Sequence, residues 1–296
     1  MNGIINIDKP ADWTSNDVVC KLKGVLHERR IGHGGTLDPM ATGVLPVFVG
    51  RATRAVEFCE NARKRYIAGL KLGVVTDTQD TIGTVLEEKP VSATVDDVRG
   101  VLSGFTGDIQ QLPPMYSAIK VGGRKLYDLA RKGIEVERSP RPVTIYAVGV
   151  TQDIGGEFTL DVTCSKGTYI RTLCHDIGQA LGCGGVMSSL RRVQAGSFSI
   201  ENAYPLAQVI EMADRGDDSF LLGTDSLFAE HPAYTADAGQ ERRCRNGNDF
   251  SCSAPDGVYR VYSKGGEFLM LGKVSSGVMT TVKSFFTPPS GAGEKH

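Results

Sequence analysis

Segments with the period of strands alternate with segments that have the period of helices, and this alternation restricts the possible fold more than any other feature. Residues 3–10 and 66–75 are short, rich in β-branched side chains and typical of strands. Residues 15–28, 92–105 and 169–182 carry apolar side chains at helical spacing. A chain that mixes both periods in this way is expected to form an α+β fold.

Residues that start or stop helices flank these segments. Ser15 or Asn16 is expected to cap the first helix, and Ser92 or Thr94 the second. Gly182 is expected to end the third.

The residue pattern changes after residue 228, from mixed strands and helices to short strands and turns. Residues 257–286 read as short strands separated by Lys-Gly-Gly and Ser-Ser-Gly turns, which predicts a small all-β module. Residues 287–296 lack apolar side chains to bury, so we expect a flexible tail.

Length and composition indicate an ordinary globular protein of about two domains, since 41% of the 296 residues are hydrophobic. No run of roughly 18 apolar residues and no signal-like start is present, so we expect a cytoplasmic protein without a membrane segment. The seven cysteines form no C-x-x-C pair and no spaced Cys/His set, which predicts reduced thiols and no bound metal.

Charge is unevenly distributed, although the formal net charge is only -1. Residues 120–141 carry seven basic and three acidic side chains, whereas residues 77–108 carry seven acidic and two basic ones. Basic clusters favour a nucleic-acid partner, but such runs are also common on solvated surfaces.

One acidic residue, Asp38, follows a glycine-rich stretch that contains Gly32, Gly34 and Gly35. The Asp-Pro pair is a common helix start, so Asp38 could simply cap a helix beginning at Pro39. The glycines let the backbone approach a ligand closely, and the proline restricts Asp38 to extended conformations. The carboxylate could therefore instead lie at the rim of a site. A phosphate-binding loop is disfavoured, because the G-x-x-x-x-G-K-[ST] pattern is absent and an acid repels phosphate.

Five segments, in order, resemble one family: NIDKPADWTS, GHGGTLDPMATGVLPV, YIAGLKLGVVTDTQD, QLPPMYSAIKVGGRKLYDLARKG and CSKGTYIRTL. They closely resemble the TruB family of tRNA pseudouridine synthases, bacterial enzymes that convert uridine-55 of the tRNA T loop to pseudouridine. The resemblance covers about residue 3 to residue 198. It implies a central mixed, largely antiparallel sheet, no cofactor and a monomeric enzyme that binds the tRNA T stem-loop. The C-terminal module resembles, more weakly, a PUA-type RNA-binding β-barrel.

The resemblance also implies roles for individual residues. Asp38 aligns with the catalytic aspartate, and Arg171 with the arginine that pairs with it. Tyr66 aligns with the tyrosine that stacks on the target base, and His33 with the histidine that braces the loop when the uridine is extruded. Further positions near the pocket are Lys9, Tyr169 and Leu190.

The basic segment 113–141 aligns with the family's tRNA-gripping insert. Its predicted RNA contacts are Tyr116, Lys120, Arg124, Arg131 and Lys132. The expected division is a catalytic domain over 1–228 that includes this insert, an RNA-binding module over 229–286, and the tail. A solvated amphipathic helix could account for part of the insert.

Two residues depart from the family pattern: Gly34 stands where many relatives have Thr, and Asp12 where they have Gly. Asp tolerates a left-handed backbone, so the turn at Asp12 is expected to survive. Two other functions stay open on the sequence: an RNA-binding module without catalysis, and a hydrolase that forms an aspartyl intermediate.

Overall fold

The structure is a computed structural model that describes residues 1–117, 119–152 and 157–286. Among these, the side chains at positions 120, 125 and 152 are not described. The predicted tail 287–296 and the side chain of Lys120 therefore lie outside the described residues.

Strands occur along the whole described chain and are 2 to 12 residues long. In chain order they are β1 (Gly3–Lys9), β2 (Ile31–His33), β3 (Thr42–Val49), β4 (Lys64–Leu72), β5 (Val74–Thr76), β6 (Val85–Glu88), β7 (Gly107–Gln111), β8 (Lys120–Val121), β9 (Arg124–Lys125), β10 (Arg141–Gln152), β11 (Phe158–Cys164), β12 (Gly185–Ala195), β13 (Phe198–Ser199), β14 (Tyr204–Pro205), β15 (Ala233–Thr235), β16 (Phe250–Ser251), β17 (Gly257–Tyr262), β18 (Phe268–Ser275) and β19 (Val278–Ser284).

The helices are fewer and interrupt the strands. In chain order they are α1 (Ser15–Val25), α2 (Val56–Glu60), α3 (Val95–Leu102), α4 (Leu126–Ala130), α5 (Ile170–Ala180), α6 (Leu206–Asp214) and α7 (Ala238–Arg245). Short 3₁₀ turns cover Gly50–Ala55, Ser103–Phe105, Ile200–Asn202 and Thr224–Phe228.

A large sheet organises the first two thirds of the chain, in the order β14-β1-β3-β12-β4-β11-β10-β7, with β2 added beside β3 and β13 beside β12. The β1–β14 and β12–β3 pairs are parallel and the other pairs of this sheet are antiparallel. A five-stranded sheet of order β15-β17-β18-β19-β16 follows. The predicted α+β fold with a mixed, largely antiparallel sheet and a C-terminal β module is confirmed.

Both faces of the large sheet are covered at β1 and β3, which explains why these two strands are buried nearly throughout. Successive side chains of a strand point to opposite faces. Ile5 and Ile7 pack with the apolar faces of α1, α3, α5 and α6, whereas Ile4 packs in a second cluster with Phe48 and Phe228. The second cluster includes residues of the C-terminal sheet. The helix side therefore holds the main core, and the opposite side supports the C-terminal module.

Capping explains where the helices begin, and it corrects one expectation. The cap of α1 is Thr14 rather than Ser15 or Asn16: its hydroxyl accepts from the Asp17 N–H at 3.0 Å, and the Asp17 carboxylate accepts from the Thr14 N–H at 2.8 Å. Thr94 caps α3 with the same reciprocal pattern. Gly182 follows α5 with φ of +76°, the left-handed conformation that the sequence predicts.

Within the described residues, no helix is long and apolar enough to cross a bilayer. All seven cysteines are free thiols, and five of them are buried.

Candidate active site

Asp38 lies in the loop that connects β2 to β3, and no helix begins at Pro39. Residues 39–40 form a turn instead, closed by the Ala41 N–H donating to the Asp38 carbonyl at 3.0 Å. The helix-cap interpretation is therefore wrong. The Asp38 side chain is 40% exposed, so its carboxylate can meet a ligand.

Hydrogen bonds fix the backbone of this loop on both sides of Asp38. The Ser15 hydroxyl accepts from the Leu37 N–H at 2.9 Å and lies 3.2 Å from the Leu37 carbonyl. The Pro39 carbonyl accepts from the Asp12 N–H at 2.9 Å and from Lys9 Nζ at 3.3 Å. Asp12 adopts φ of +64°, so the left-handed turn survives without glycine, as expected. Asp38 is thus presented on a backbone with little freedom to move.

Arg171 joins Asp38 to the elements around it from the first turn of α5. Its Nε lies 3.1 Å from Asp38 Oδ2 and its Nη1 3.7 Å from Asp80 Oδ2. The guanidinium also donates to the carbonyls of Thr78 at 3.2 Å and Tyr116 at 2.9 Å. Arg171 is only 6% exposed. A buried arginine held by four oxygens keeps a fixed geometry and stabilises a negative charge beside it.

Asp80 is a candidate site residue that the sequence did not single out, because it is one of seven acidic residues in 77–108. Asp80 is 7% exposed and lies in the turn between β5 and β6. Its Oδ1 accepts from the Thr78 hydroxyl at 2.6 Å and the Ile82 N–H at 3.0 Å, which leaves Oδ2 facing Arg171. The Thr-Asp-Thr-Gln-Asp spacing of a tight turn was the signal available in the sequence.

Tyr66 and Tyr169 are phenols whose pKa is raised, chiefly by burial and to a smaller extent by the negative charge of Asp38, so both stay protonated at neutral pH. Tyr66 projects from β4, and Tyr169 immediately precedes α5, where its backbone N–H and carbonyl pair with the Gln111 amide at 2.8 and 3.0 Å. Leu190 of β12 is 9% exposed and pairs across the sheet with β4. The Asp38 charge thus acts on both tyrosines, and Leu190 lies on the same strand as Arg192, which donates to the loop that carries Asp38.

His33 ends β2, five residues before Asp38, and is half-buried. Its Nδ1 is buried without a hydrogen-bond partner among the described residues. Burial lowers the pKa of His33, so its imidazole is neutral at pH 7.

Four basic side chains are buried within the described residues, and all of them adjoin the Asp38 loop: Lys9, Lys64, Arg171 and Arg192. Lys9 donates to the carbonyls of Pro10 and Trp13 at 2.8 and 2.6 Å, and burial lowers its pKa to about 8. Lys64 donates to the carbonyls of Glu60 and Ala62, and burial lowers its pKa also. Buried cations thus adjoin the Asp38 loop, together with the buried Asp80 carboxylate that faces Arg171, although the whole chain carries a formal charge of -1.

The insert 113–141 has buried apolar side chains on one side and exposed basic side chains on the other. Leu126 and Leu129 of α4 are buried, whereas the side chains of Arg124, Arg131 and Lys132 are exposed. The Arg131 guanidinium stacks over the Tyr127 ring at 5.5 Å. Tyr116 differs from the other predicted contacts of this segment, because it is half-buried and its carbonyl binds Arg171.

The described residues contain no group of three or more His, Cys, Asp or Glu side chains arranged to hold a metal ion.

The sequence matches two family models. One, described as the TruB family pseudouridylate synthase N-terminal domain, matches residues 23–170. The other, described as the tRNA pseudouridylate synthase B C-terminal domain, matches residues 171–228. The two ranges adjoin at Arg171, so the Asp38–Arg171 pair spans both models.

Curated relatives and solved structures agree with these models. A Clostridium kluyveri protein called tRNA pseudouridine synthase B is 40% identical over 292 residues, which is 96% of this chain and 100% of the relative. A relative of the same name from Escherichia coli O1:K1 / APEC is 38% identical, over 93% of this chain and 91% of its own. The crystal structure of a Cbf5-Nop10-Gar1 complex matches with a TM-score of 0.73 and 27% identity, over 97% of this chain and 85% of that chain. Model, relatives and fold agree, and the chain belongs to the TruB family of pseudouridylate synthases.

Proposed function

We propose that this protein is a cytoplasmic tRNA pseudouridine synthase that isomerises uridine-55 of the T loop, with Asp38 as the catalytic residue and without a cofactor. The observation that carries the proposal is the half-exposed Asp38 carboxylate, held on a fixed loop and paired at 3.1 Å with the buried guanidinium of Arg171. The curated relatives, named for synthesis of pseudouridine in tRNA, support the choice of substrate.

The reaction is an isomerisation that conserves every atom. The N1–C1′ bond of uridine breaks, the uracil turns, a C5–C1′ bond forms, and the proton on C5 moves to solvent while N1 gains one. An ionised carboxylate suits either of two first steps: attack on C1′ as a nucleophile, or removal of the C2′ proton as a base. Arg171 supports both, because it stabilises and orients the Asp38 carboxylate.

The residues around Asp38 fit an extruded nucleotide. Tyr66 offers a planar ring to the face of the uracil, and Leu190, Tyr169 and Lys9 shape the pocket around it. His33, neutral and with a free buried Nδ1, braces the RNA loop from which the uridine has been drawn.

The proposed domain division follows the sequence prediction. Residues 1–228 form the catalytic domain, the insert 113–141 grips tRNA through its exposed cations, and residues 229–286 form a PUA-like RNA-binding module. The five-stranded sheet and the arginines of α7 support that last assignment. The protein acts as a monomer.

The test uses a T stem-loop RNA in the presence of EDTA, with pseudouridine measured after nuclease digestion. Wild-type protein is expected to form pseudouridine only when uridine occupies position 55. Asp38→Asn, which keeps the shape of the side chain but removes its charge, is expected to lower the rate by about 1,000-fold or more and to leave RNA binding intact. Asp8→Asn is the matched control, because Asp8 also pairs with an arginine, Arg191, at 2.8 Å but precedes Lys9 on β1 and so points to the opposite face of the sheet.

The alternatives predict different results. A binding module without catalysis gives tight RNA binding and no pseudouridine in the wild type. A hydrolase acting through an aspartyl intermediate requires a divalent metal and releases phosphate. Either result would overturn the proposal.

A further inference from the structure

Arg192 is a buried cation that the proposed reaction does not use. It lies on β12, it is 1% exposed, and it is among the largest fully buried side chains of the described residues. Its neighbour Arg191 is 42% exposed and pairs with Asp8. A guanidinium keeps its proton at any pH that a folded protein meets, so this charge stays in the interior. Burying it is costly unless the surroundings compensate it.

The contacts of Arg192 are carbonyl oxygens rather than carboxylates. Its Nε donates to the Val44 carbonyl at 2.7 Å and its Nη2 donates to the Gly35 carbonyl at 3.1 Å. No Asp or Glu among the described residues lies within ion-pair distance of it. A side chain placed for charge neutralisation would have an acidic partner, as Arg171 has. Arg192 instead joins β3 to the loop that carries Asp38.

Arg192 also lies beside Tyr66. The two residues are directly paired on β12 and β4, so their side chains leave the same face of the sheet next to each other. Burial is the main cause that raises the pKa of the Tyr66 phenol, and the neighbouring Arg192 acts to lower it. At Gly35, where φ is +91°, a Cβ atom would lie 3.4 Å from Nη1, so the loop backbone packs directly against the guanidinium. One planar group therefore contacts the Asp38 loop and extends from the strand position that faces Tyr66.

We propose that Arg192 is a positioning residue, which sets the distance between the Asp38 loop and the Tyr66 ring by bridging the Gly35 carbonyl and the Tyr66 hydroxyl. The inference rests on the proposed function. The planar fork of a guanidinium can hold both partners while Nε holds β3. A lysine keeps the charge but has a single nitrogen, which cannot keep all three contacts in place. Misplacing a reacting group by about 1 Å can cost about 100-fold in rate.

The test compares Arg192→Lys and Arg192→Gln with Arg191→Lys as the matched control on the same strand. Three quantities are measured: the thermal midpoint, the Kd for the T stem-loop RNA, and the single-turnover rate of pseudouridine formation at saturating protein. We expect Arg191→Lys to match the wild type in all three. Arg192→Lys is expected to lower the rate by about 100-fold while the Kd changes by less than about threefold.

A purely structural role predicts another pattern. If the variant only lowers stability, its rate recovers to the wild-type value at a temperature at which it is fully folded, and this recovery would overturn the inference. A wild-type rate in folded Arg192→Lys would overturn it too.

Tyr66→Phe tests the same bridge without disturbing the buried charge. It removes the hydroxyl but keeps the ring and both carbonyl contacts of Arg192. It is expected to lower the rate by about tenfold at unchanged Kd, and less than that in the Arg192→Lys background, because the contact is already lost there. Fully additive losses would contradict the bridge. If wild-type and Arg191→Lys proteins bind the RNA but form no pseudouridine, it is the proposed function that fails.

Discussion

Gly34 and Cys59 compete for the same space in the loop that carries Asp38. A Cβ atom built on Gly34 would lie 2.7 Å from Cys59 Sγ and 3.1 Å from both the Cys59 Cβ and a ring carbon of Phe48. Burial raises the pKa of Cys59 to about 11, so the thiol is unreactive and serves as packing. The glycine that departs from the family pattern is thereby explained: the buried cysteine fills the volume that a larger residue at position 34 would need.

The two positions should be coupled in stability. Gly34→Thr is expected to lower the free energy of unfolding by about 2–3 kcal/mol, because it overpacks the space beside Cys59. Cys59→Ala should restore part of that loss in the double variant, because it removes the sulfur that lies closest. Urea denaturation of the four proteins of this cycle gives the coupling energy. Additive effects would show that position 34 is limited by something other than Cys59.

Lys9 should make stability depend on pH. Its pKa falls from 10.5 in the unfolded chain to about 8 in the folded protein, chiefly through burial. Between these values the unfolded state binds more protons, so this group makes the folded state more stable as pH rises from 8 toward 10. The gain is about 2 kcal/mol over that interval.

Lys9→Met isolates this contribution. Between pH 8 and pH 10 the free energy of unfolding of the wild type should rise by about 2 kcal/mol more than that of Lys9→Met. Lys21→Met, on the exposed face of α1, is the control and should follow the wild type. Identical pH profiles for wild type and Lys9→Met would mean that Lys9 stays charged in the interior.

Individual helices and strands could be predicted from the sequence where local residue patterns determine them. The apolar periods locate β1, α1, α3 and α5, and the glycine after α5 ends it as expected. The expected caps of α1, Ser15 or Asn16, lie one and two residues after the actual cap, Thr14, because all three residue types are good caps. Ser15 lies in the interior instead and binds both backbone groups of Leu37, a contact between residues 22 positions apart that no local pattern contains.

The site depends still more on such distant contacts. Asp38 and Arg171 were paired only by the family resemblance, because nothing local relates a loop to a helix so far along the chain. Arg192 could have been inferred from the strand period, since it shares a face with Leu190. Because Arg192 is charged, however, it would be expected to be exposed to solvent. Asp80 and Lys64 were missed for the same reason, because a buried ion depends on partners that the fold supplies: carbonyl oxygens for Lys64 and the Arg171 guanidinium for Asp80.

The exposed cations of the insert 113–141 predict how RNA binding depends on salt. Reversing the charges of Arg124, Arg131 and Lys132 to Glu should weaken binding of the T stem-loop RNA and make its dependence on salt less steep. Each lost phosphate contact reduces the slope of log K against log salt by about 0.7–0.9. Reversal of three exposed cations on other elements, Lys89, Arg99 and Arg215, provides the control of equal charge. An unchanged slope in the insert variant would remove the insert from the RNA interface.

At the level of the whole molecule, the large sheet and the five-stranded C-terminal sheet share one apolar cluster. Phe285, after β19, stacks on Phe268 at 5.1 Å between ring centroids and contacts Phe228 at 5.8 Å. The same cluster holds Phe48 and Ile4 from the back of the large sheet. Lys283 also pairs with Glu57 of α2 at 2.6 Å. The C-terminal sheet is therefore packed against the reverse of the strands that carry the Asp38 loop, and the two parts should unfold together.

Trp13, the single tryptophan, tests this coupling because it packs against the main core on the helix side. Phe285→Ala is expected to lower the unfolding free energy by about 3 kcal/mol, and the transition seen by Trp13 fluorescence should shift with it. Val282→Ala, at a 44% exposed position of β19, should leave that transition in place. If Phe285→Ala left the Trp13 midpoint unchanged while circular dichroism showed an earlier loss of strand signal, the C-terminal sheet would be an independent unit. We expect the two parts to unfold together, because β1 and β3 bury side chains on both faces and so contact the main core and the shared cluster at once.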